Sequence, residues 1–210
     1  MIGFRTKRMR WNKVKSETSV TRCGWVTDDP IYIKYHDEEW GNMRRFHDDN
    51  YLFEMLTLEG AQAGLSWITI LKRREAYREA FHYFNPEKVA LYTEKQVEAL
   101  MQNEGIIRNK RKIMSTIYNA QALLNVQKEF GSFHQFLWDF FNQRPIINYW
   151  KTDEEVPAST KESVRLSKAL KSRGFSFVGP VICYSFMQAV GIVDDHTMEC
   201  FLYNESSDIK

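Results

Sequence analysis

Lys171-Ser172-Arg173-Gly174-Phe175-Ser176-Phe177-Val178-Gly179 joins two segments of helical character, and its reading decides the fold. Upstream, Val164, Leu166, Ala169 and Leu170 recur at helical spacing after Thr160, and Gly174 suits the position just past a helix end. Downstream, Val178 to Val190 reads as a second helix closed by Gly191. Two glycines permit tight turns and close backbone approach, and the start of the second helix offers N–H groups without intrahelical partners. With Lys168, Lys171 and Arg173 beside them, such groups can hold an anion such as a backbone phosphate. This is the pattern of a helix-hairpin-helix over about 160–191, a device that grips the DNA backbone without reading sequence. A plain interhelical turn would carry the same glycines.

Outward from the hairpin the chain reads as helix after helix. Asp48-Asp49-Asn50 offers caps for a helix through Leu52, Phe53, Leu56 and Leu58, broken at Gly60 and Gly64. Ser66 is expected to cap one helix carrying Ile68, Leu71, Tyr77 and Phe81. Asn85-Pro86 opens a short helix with proline in its first turn. Thr93 to Gln96 has the capping-box pattern, and a basic helix from about Asn109 carries Ile113, Ile117, Ala120 and Leu124. Ser132 precedes a core stripe of Phe133, Phe136, Leu137 and Phe140. Residues 142–158, with Pro145 and Pro157, read as a loop. No strand alternation of useful length occurs, so the expected class is all-α, over residues 21–205.

Composition bounds the partners. At 210 residues and 43% hydrophobic, the chain can bury a substantial core. It has no apolar run long enough to span a bilayer and no apolar leader before the first charges, so no membrane and a cytoplasmic location are expected. Three cysteines argue against a secreted disulfide framework. Residues 1–20 carry six basic side chains against one acid and read as a disordered extension. Two internal basic clusters, Arg108 to Lys112 and Lys161 to Arg173, are solvated helix faces or phosphate contacts.

Metal-type side chains stand in pairs far apart: Cys23 and His36, then His196 and Cys200. Two thiolates and two imidazoles suit tetrahedral Zn²⁺, and the last pair would share one face of a helix. The spacing is unlike that of local zinc fingers and leaves metal binding open. Four protein ligands would leave no position for water, so such an ion would staple the two ends together rather than do chemistry. Cys183 sits in an apolar run and reads as core.

Several segments together carry a resemblance. They are Arg22 to Trp25, Tyr32 to Gly41, Leu58 to Trp67, Gly105 to Arg108, Arg173 to Gln188, and Asp195 through Cys200. The chain resembles the 3-methyladenine DNA glycosylase I family of the helix-hairpin-helix superfamily, from about residue 21 to 203. The resemblance implies a bacterial repair enzyme that hydrolyses the N-glycosidic bond of 3-methyladenine in double-stranded alkylated DNA. It implies a structural zinc on Cys23, His36, His196 and Cys200.

The base must be flipped out of the duplex into a pocket. By resemblance, Glu59 and Trp67 are the base-recognition positions, with Tyr35 next; Tyr32 and Trp40 are further aromatics of the kind such a pocket requires. Aromatic faces attract a cationic base, and Glu59 can complement its charge. Glu59 is therefore the expected catalytic residue. Gly64 and Leu65 correspond to the loop that probes the gap left by the flipped base. Lys171, Arg173, Gly174 and Gly179 are the expected backbone contacts.

Asp194, in Val193-Asp194-Asp195-His196, stands where many superfamily members place a catalytic aspartate, but this branch is described as working without it. A cap on a zinc-bearing helix is the preferred role for Asp194. No lysine in the hairpin helix offers a Schiff-base nucleophile, so water is expected to attack and no strand cleavage to follow. A monomer is expected. The rivals are a protein of the same fold that binds lesions without cleaving them, and a hydrolase using the zinc catalytically.

Overall fold

The computed structural model describes residues 20–203, so the basic extension lies outside the described residues save for Val20. Helix α2 (Asp49–Gln62) is the axis of the molecule, and every residue from Tyr51 to Ala61 is buried. Asp48 starts it by accepting hydrogen bonds from the Asn50 and Tyr51 amides. The helix continues through Gly60, which does not break it. A Cβ there would meet the Cβ and carbonyl of Phe177 at 3.3 and 3.4 Å, so the glycine lets the hairpin pack against α2. The break falls at Gly64, where φ is +80°.

Around α2 stand α1 (Pro30–Glu38), α3 (Trp67–Leu71) and α4 (Arg74–Ala80). The single helix expected from Ser66 to Phe81 is thus two. Arg73 leaves helical geometry (φ −103°, ψ −1°), so Ile70 and Leu71 stay in the core while Arg74 reaches Glu39 and Glu54. Ser66 makes no capping bond; its hydroxyl meets that of Thr69 instead. The short α5 (Pro86–Val89) and α6 (Glu94–Gln102) follow, the latter opened by the Thr93–Gln96 capping box.

Helix α7 (Lys110–Phe130) is capped by Asn109 and ends at Gly131, where φ is +88°. Helix α8 (Phe133–Phe140) buries Phe133, Phe136 and Leu137. Helices α9 (Lys161–Ser172) and α10 (Pro180–Ala189) form the hairpin, with α10 packed on both α9 and α2. Cys183 is core, its thiol pushed up to about 12 by burial.

Two departures from an all-helical chain matter. Strand β1 (Ile146–Ile147), inside the segment read as a loop, pairs in parallel with β2 (Val193–Asp194). Beyond β2, residues 195–197 are irregular and 198–203 form turns and a bend, so His196 and Cys200 do not share a helix. This segment is held by backbone bonds from Met198 N to Trp150 O and from Phe201 N to Thr21 O. Among the described residues no helix is long and apolar enough to cross a membrane.

Candidate active site

Where α1, α2, α3 and the start of α10's exit segment converge, a cavity of about 500 Å³ opens. Tyr32, Tyr35, Trp40, Glu59 and Trp67 all line it, and Trp25, Gln62, Ser66, Asp153, Val156, Ser185, Gln188 and Asp195 complete the wall. The aromatics are mutually braced: the Tyr35 and Trp67 rings lie 5.5 Å apart, Trp25 and Tyr32 5.6 Å, Trp25 and Trp40 5.0 Å. Braced rings hold their faces at fixed angles, which is what a stacking pocket needs.

Glu59 is 5% exposed, and among the described residues no side chain or amide is hydrogen-bonded to its carboxyl. Burial alone pushes its carboxyl up to about 8, so it is largely protonated at neutral pH. Burial first, and the neighbouring Glu59 second, push the Tyr35 hydroxyl up as well. Among the described residues Trp67 Nε1 is buried without a partner. A neutralised acid and an unused N–H in one aromatic cavity form a site with unspent hydrogen-bonding capacity.

Asp195, given no site role by sequence, is the other buried acid of the cavity. It is 2% exposed and accepts four hydrogen bonds, from Asn148 Nδ2, Trp150 Nε1, Tyr184 Oη and Gln188 Nε2, at 2.5 to 2.7 Å. Its neighbour Asp194 points elsewhere, accepting from the His196 amide and meeting His196 Nδ1 at 2.8 Å. Asp194 therefore caps no helix, because none follows; it orients His196.

Behind Trp40 lies the Cys/His cluster. Ligand atoms of Cys23, His36 and Cys200 all fall within 4.8 Å of one another, and all three residues are buried. His196 stands outside that mutual set, although its ring is 5.3 Å from that of His36. A hydrogen bond between the thiols, helped by the His36 ring, holds Cys200 down at about 4 and Cys23 well up. Each histidine presents Nδ1 to a carboxylate, His36 to Asp37 and His196 to Asp194, which turns Nε2 inward. His196 Nε2 is buried with no partner among the described residues. Two thiols, two inward imidazole nitrogens and two carboxylates behind them fit a soft divalent ion. Gly41 (φ +72°) makes room, since a Cβ there would fall 2.6 Å from the His196 ring.

On the expected DNA side, Gly64 and Leu65 form a protruding turn with Leu65 41% exposed, and Gly174 takes φ +91°. Gly179 has φ −65° and open space beside it, so its backbone does not require glycine. Lys171 is exposed, whereas the Arg173 guanidinium lies over the rings of Phe130 and Phe136 and beside Glu129. The Arg108–Lys112 cluster is partly consumed, with Arg108 beside Glu104 and Lys110 paired to Glu94.

Methyladenine glycosylases match residues 25–203 of the chain. The chain belongs to the methyladenine glycosylase family. It is 54% identical over 182 residues to DNA-3-methyladenine glycosylase 1 of Escherichia coli, covering 87% of this chain and 96% of that one. It is 51% identical over 180 residues to the DNA-3-methyladenine glycosylase of Haemophilus influenzae, with 86% and 96% covered. A crystal structure of 3-methyladenine DNA glycosylase I superposes with a TM-score of 0.84 at 51% identity, over 87% of this chain and all of that one. The Staphylococcus aureus enzyme, solved to show the structural basis of 3-methyladenine recognition, gives 0.83 at 39% identity, covering 87% and 96%.

In this methyladenine glycosylase Tyr32, Tyr35, Trp40, Trp67 and Glu59 meet in one cavity. Trp25 and Asp195 are the omissions. Trp25 adjoins the Cys23 motif, and a tryptophan beside Tyr32 and Trp40 in composition was the signal available. Asp195 stood in a segment that carries the resemblance, but its part in the wall had no local signal, because its donors come from residues 148, 150, 184 and 188.

Proposed function

We propose that the Trp25–Tyr35–Trp67 cavity receives a flipped 3-methyladenine and that Glu59 recognises its charge. The chain is a DNA glycosylase of the methyladenine family, and the activity is hydrolysis of the N-glycosidic bond of that base in alkylated DNA. The observation that supports this use of the pocket is a buried carboxyl without a protein partner, set among braced aromatic rings.

N3-methylation leaves the base cationic while it is attached to sugar, so it departs with little protonation. The pocket's task is to bind the cation and support the positive charge that develops on the sugar. A cation beside Glu59 supplies the charge partner that burial withholds, so the carboxyl gives up its proton and becomes the complementary anion. Ring faces add about 0.5–2 kcal/mol per cation contact. All four acceptor directions of Asp195 are engaged, which suits fixed electrostatic support at the wall rather than proton transfer. Helix α10 contains no lysine, which favours water as nucleophile and no strand cleavage. Double-stranded DNA as substrate and action as a monomer complete the reading.

Cys23, His36, His196 and Cys200 would hold a zinc ion whose part is structural. The orphaned His196 Nε2 and the carboxylate behind each imidazole support the fit. Metal analysis of purified protein should give one zinc per chain, and chelation should lower the melting temperature. Equal melting with and without metal would count against the assignment.

Incubation with methylated duplex, followed by chromatographic identification of the freed base, tests the activity. Release of 3-methyladenine is expected. Tight lesion binding without release would favour the non-cleaving rival.

A further inference from the structure

Helix α7 touches both parts of the molecule that the proposed function turns toward DNA, and it does so with two side chains, each making paired bonds. Lys112 Nζ donates to the carbonyls of Ala61 at 2.7 Å and Ala63 at 2.8 Å. These acceptors bracket Gln62, a residue of the cavity wall, and lie immediately before Gly64 and Leu65. The Leu65 amide closes the turn by donating to Gln62 O at 2.6 Å. Asn119 grips the hairpin turn from the same helix: its Nδ2 donates to Ser176 O at 3.0 Å, and its Oδ1 accepts from Ser176 N at 2.8 Å.

Seven residues separate Lys112 from Asn119, two turns of helix, so both project from one face about 10 Å apart along the axis. Between their targets Gly60 packs on Phe177, which closes the third side of the arrangement. Lys112 forms no ion pair among the described residues; an ammonium has been spent on two neutral carbonyls at the end of α2. The end of a helix presents unpaired carbonyls and partial negative charge, so a lysine there is well matched.

We propose that Lys112 and Asn119 are positioning residues and that α7 is a spacer, fixing the Gly64–Leu65 loop against the hairpin so that both engage one duplex in register. The proposal deepens the reading of the chain as a DNA glycosylase and rests on it. Loop insertion depends on where the turn sits relative to the backbone grip, and a misplacement of about 1 Å at such a point can slow a reaction about a hundredfold. The two anchors should fail differently. Loosening Lys112 leaves the duplex bound but the turn misplaced, so the rate at saturation falls. Loosening Asn119 frees the grip, so duplex affinity falls more than the saturated rate.

Single-turnover release of 3-methyladenine from methylated duplex separates these outcomes, alongside binding of free 3-methyladenine followed by tryptophan emission. Lys112→Met should slow release at saturating enzyme by about ten- to a hundredfold while binding the free base as wild type does. Lys112→Arg, whose fork also reaches two carbonyls, should restore most of the rate. Asn119→Ala should raise the dissociation constant for duplex more than it lowers the saturated rate. If Lys112→Met melts below assay temperature, Lys112→Gln, with one amide donor group for two carbonyls, carries the same test. A wild-type saturated rate in Lys112→Met overturns the proposal, as does parallel loss of free-base binding, which would place the defect in the pocket. A wild-type protein that releases no base overturns the activity reading and the proposal together.

Discussion

Glu54 and Glu59 lie five residues apart on α2, 4% and 5% exposed, yet their surroundings are opposite. Glu54 accepts from Arg74 Nε at 2.5 Å and Arg78 Nε at 2.8 Å, and Arg74 also grips Glu39 through two nitrogens. Glu59 faces aromatic rings and has no cation to meet. A buried carboxylate needs a partner or it takes up a proton. One acid is therefore an ion-paired joint to α4, and the other is a buried acid without a counter-charge. Equal burial says nothing about role; the presence or absence of a counter-charge does.

The contrast is broken hardest at its paired end. Arg74→Met strands Glu39, leaves Glu54 with Arg78 alone, and should destabilise the fold by about 3–5 kcal/mol in urea denaturation. A change under about 1 kcal/mol would mean that solvent already screens the cluster. At the unpaired end, Glu59→Gln should cut 3-methyladenine release about a hundredfold, with duplex affinity little changed. Unchanged release would remove Glu59 from the chemistry.

The same Glu59→Gln substitution should stabilise, and the sign follows from linkage. The wild-type carboxyl titrates near 4.5 when unfolded and at about 8 when folded, so between those values the folded state binds more protons. Wild-type stability contributed by this group is intact below pH 4.5 and is lost as pH rises toward 8, by on the order of 1.4 kcal/mol per pH unit. Glutamine has no proton to lose, so the variant should overtake wild type across that window. Denaturation midpoints at pH 5 and pH 8.5 measure it; an equal gap at both would break the comparison. Glu54→Gln sharpens it by going the other way, losing about 1–3 kcal/mol at neutral pH as charged hydrogen bonds to two arginines weaken.

The smallest effect lies between the two acids. Thr57 Oγ1 is buried without a partner among the described residues, so Thr57→Val should gain about 1 kcal/mol without touching activity. A loss there would reveal a hydrogen bond to bound water.

What the sequence made legible was local. Capping signals at Asp48, Thr93, Asn109, Ser132 and Thr160 start helices where expected, because a side chain and an amide two or three residues on suffice to make each one. What it concealed was non-local. Gly60 reads as a breaker, but the reason for a glycine is Phe177, far along the chain. Two-residue strands carry no alternation to detect, so β1 was hidden in a loop. His196 and Cys200 fit a helical spacing, and the turn that replaces it is imposed by backbone bonds to Trp150 and Thr21. Asp194 and Asp195 are adjacent and chemically alike. Successive side chains leaving β2 diverge, so one serves the imidazole and the other the cavity. The Tyr35–Glu59–Trp67 grouping was legible chiefly through the family resemblance, since aromatics alone read more readily as core.

Bonds from Phe201 to Thr21, from Thr197 to Cys23 and from Gly24 to Asp153 span 129 to 180 positions of chain. Contacts so distant in order are slow to close and form late. During translation the rings of Trp25 and Tyr32 emerge long before the stretch that completes their enclosure. The wall around those rings is thus completed only by residues from Asp153 to Asp195, and a polypeptide stopped short of them would leave the cavity open on that side.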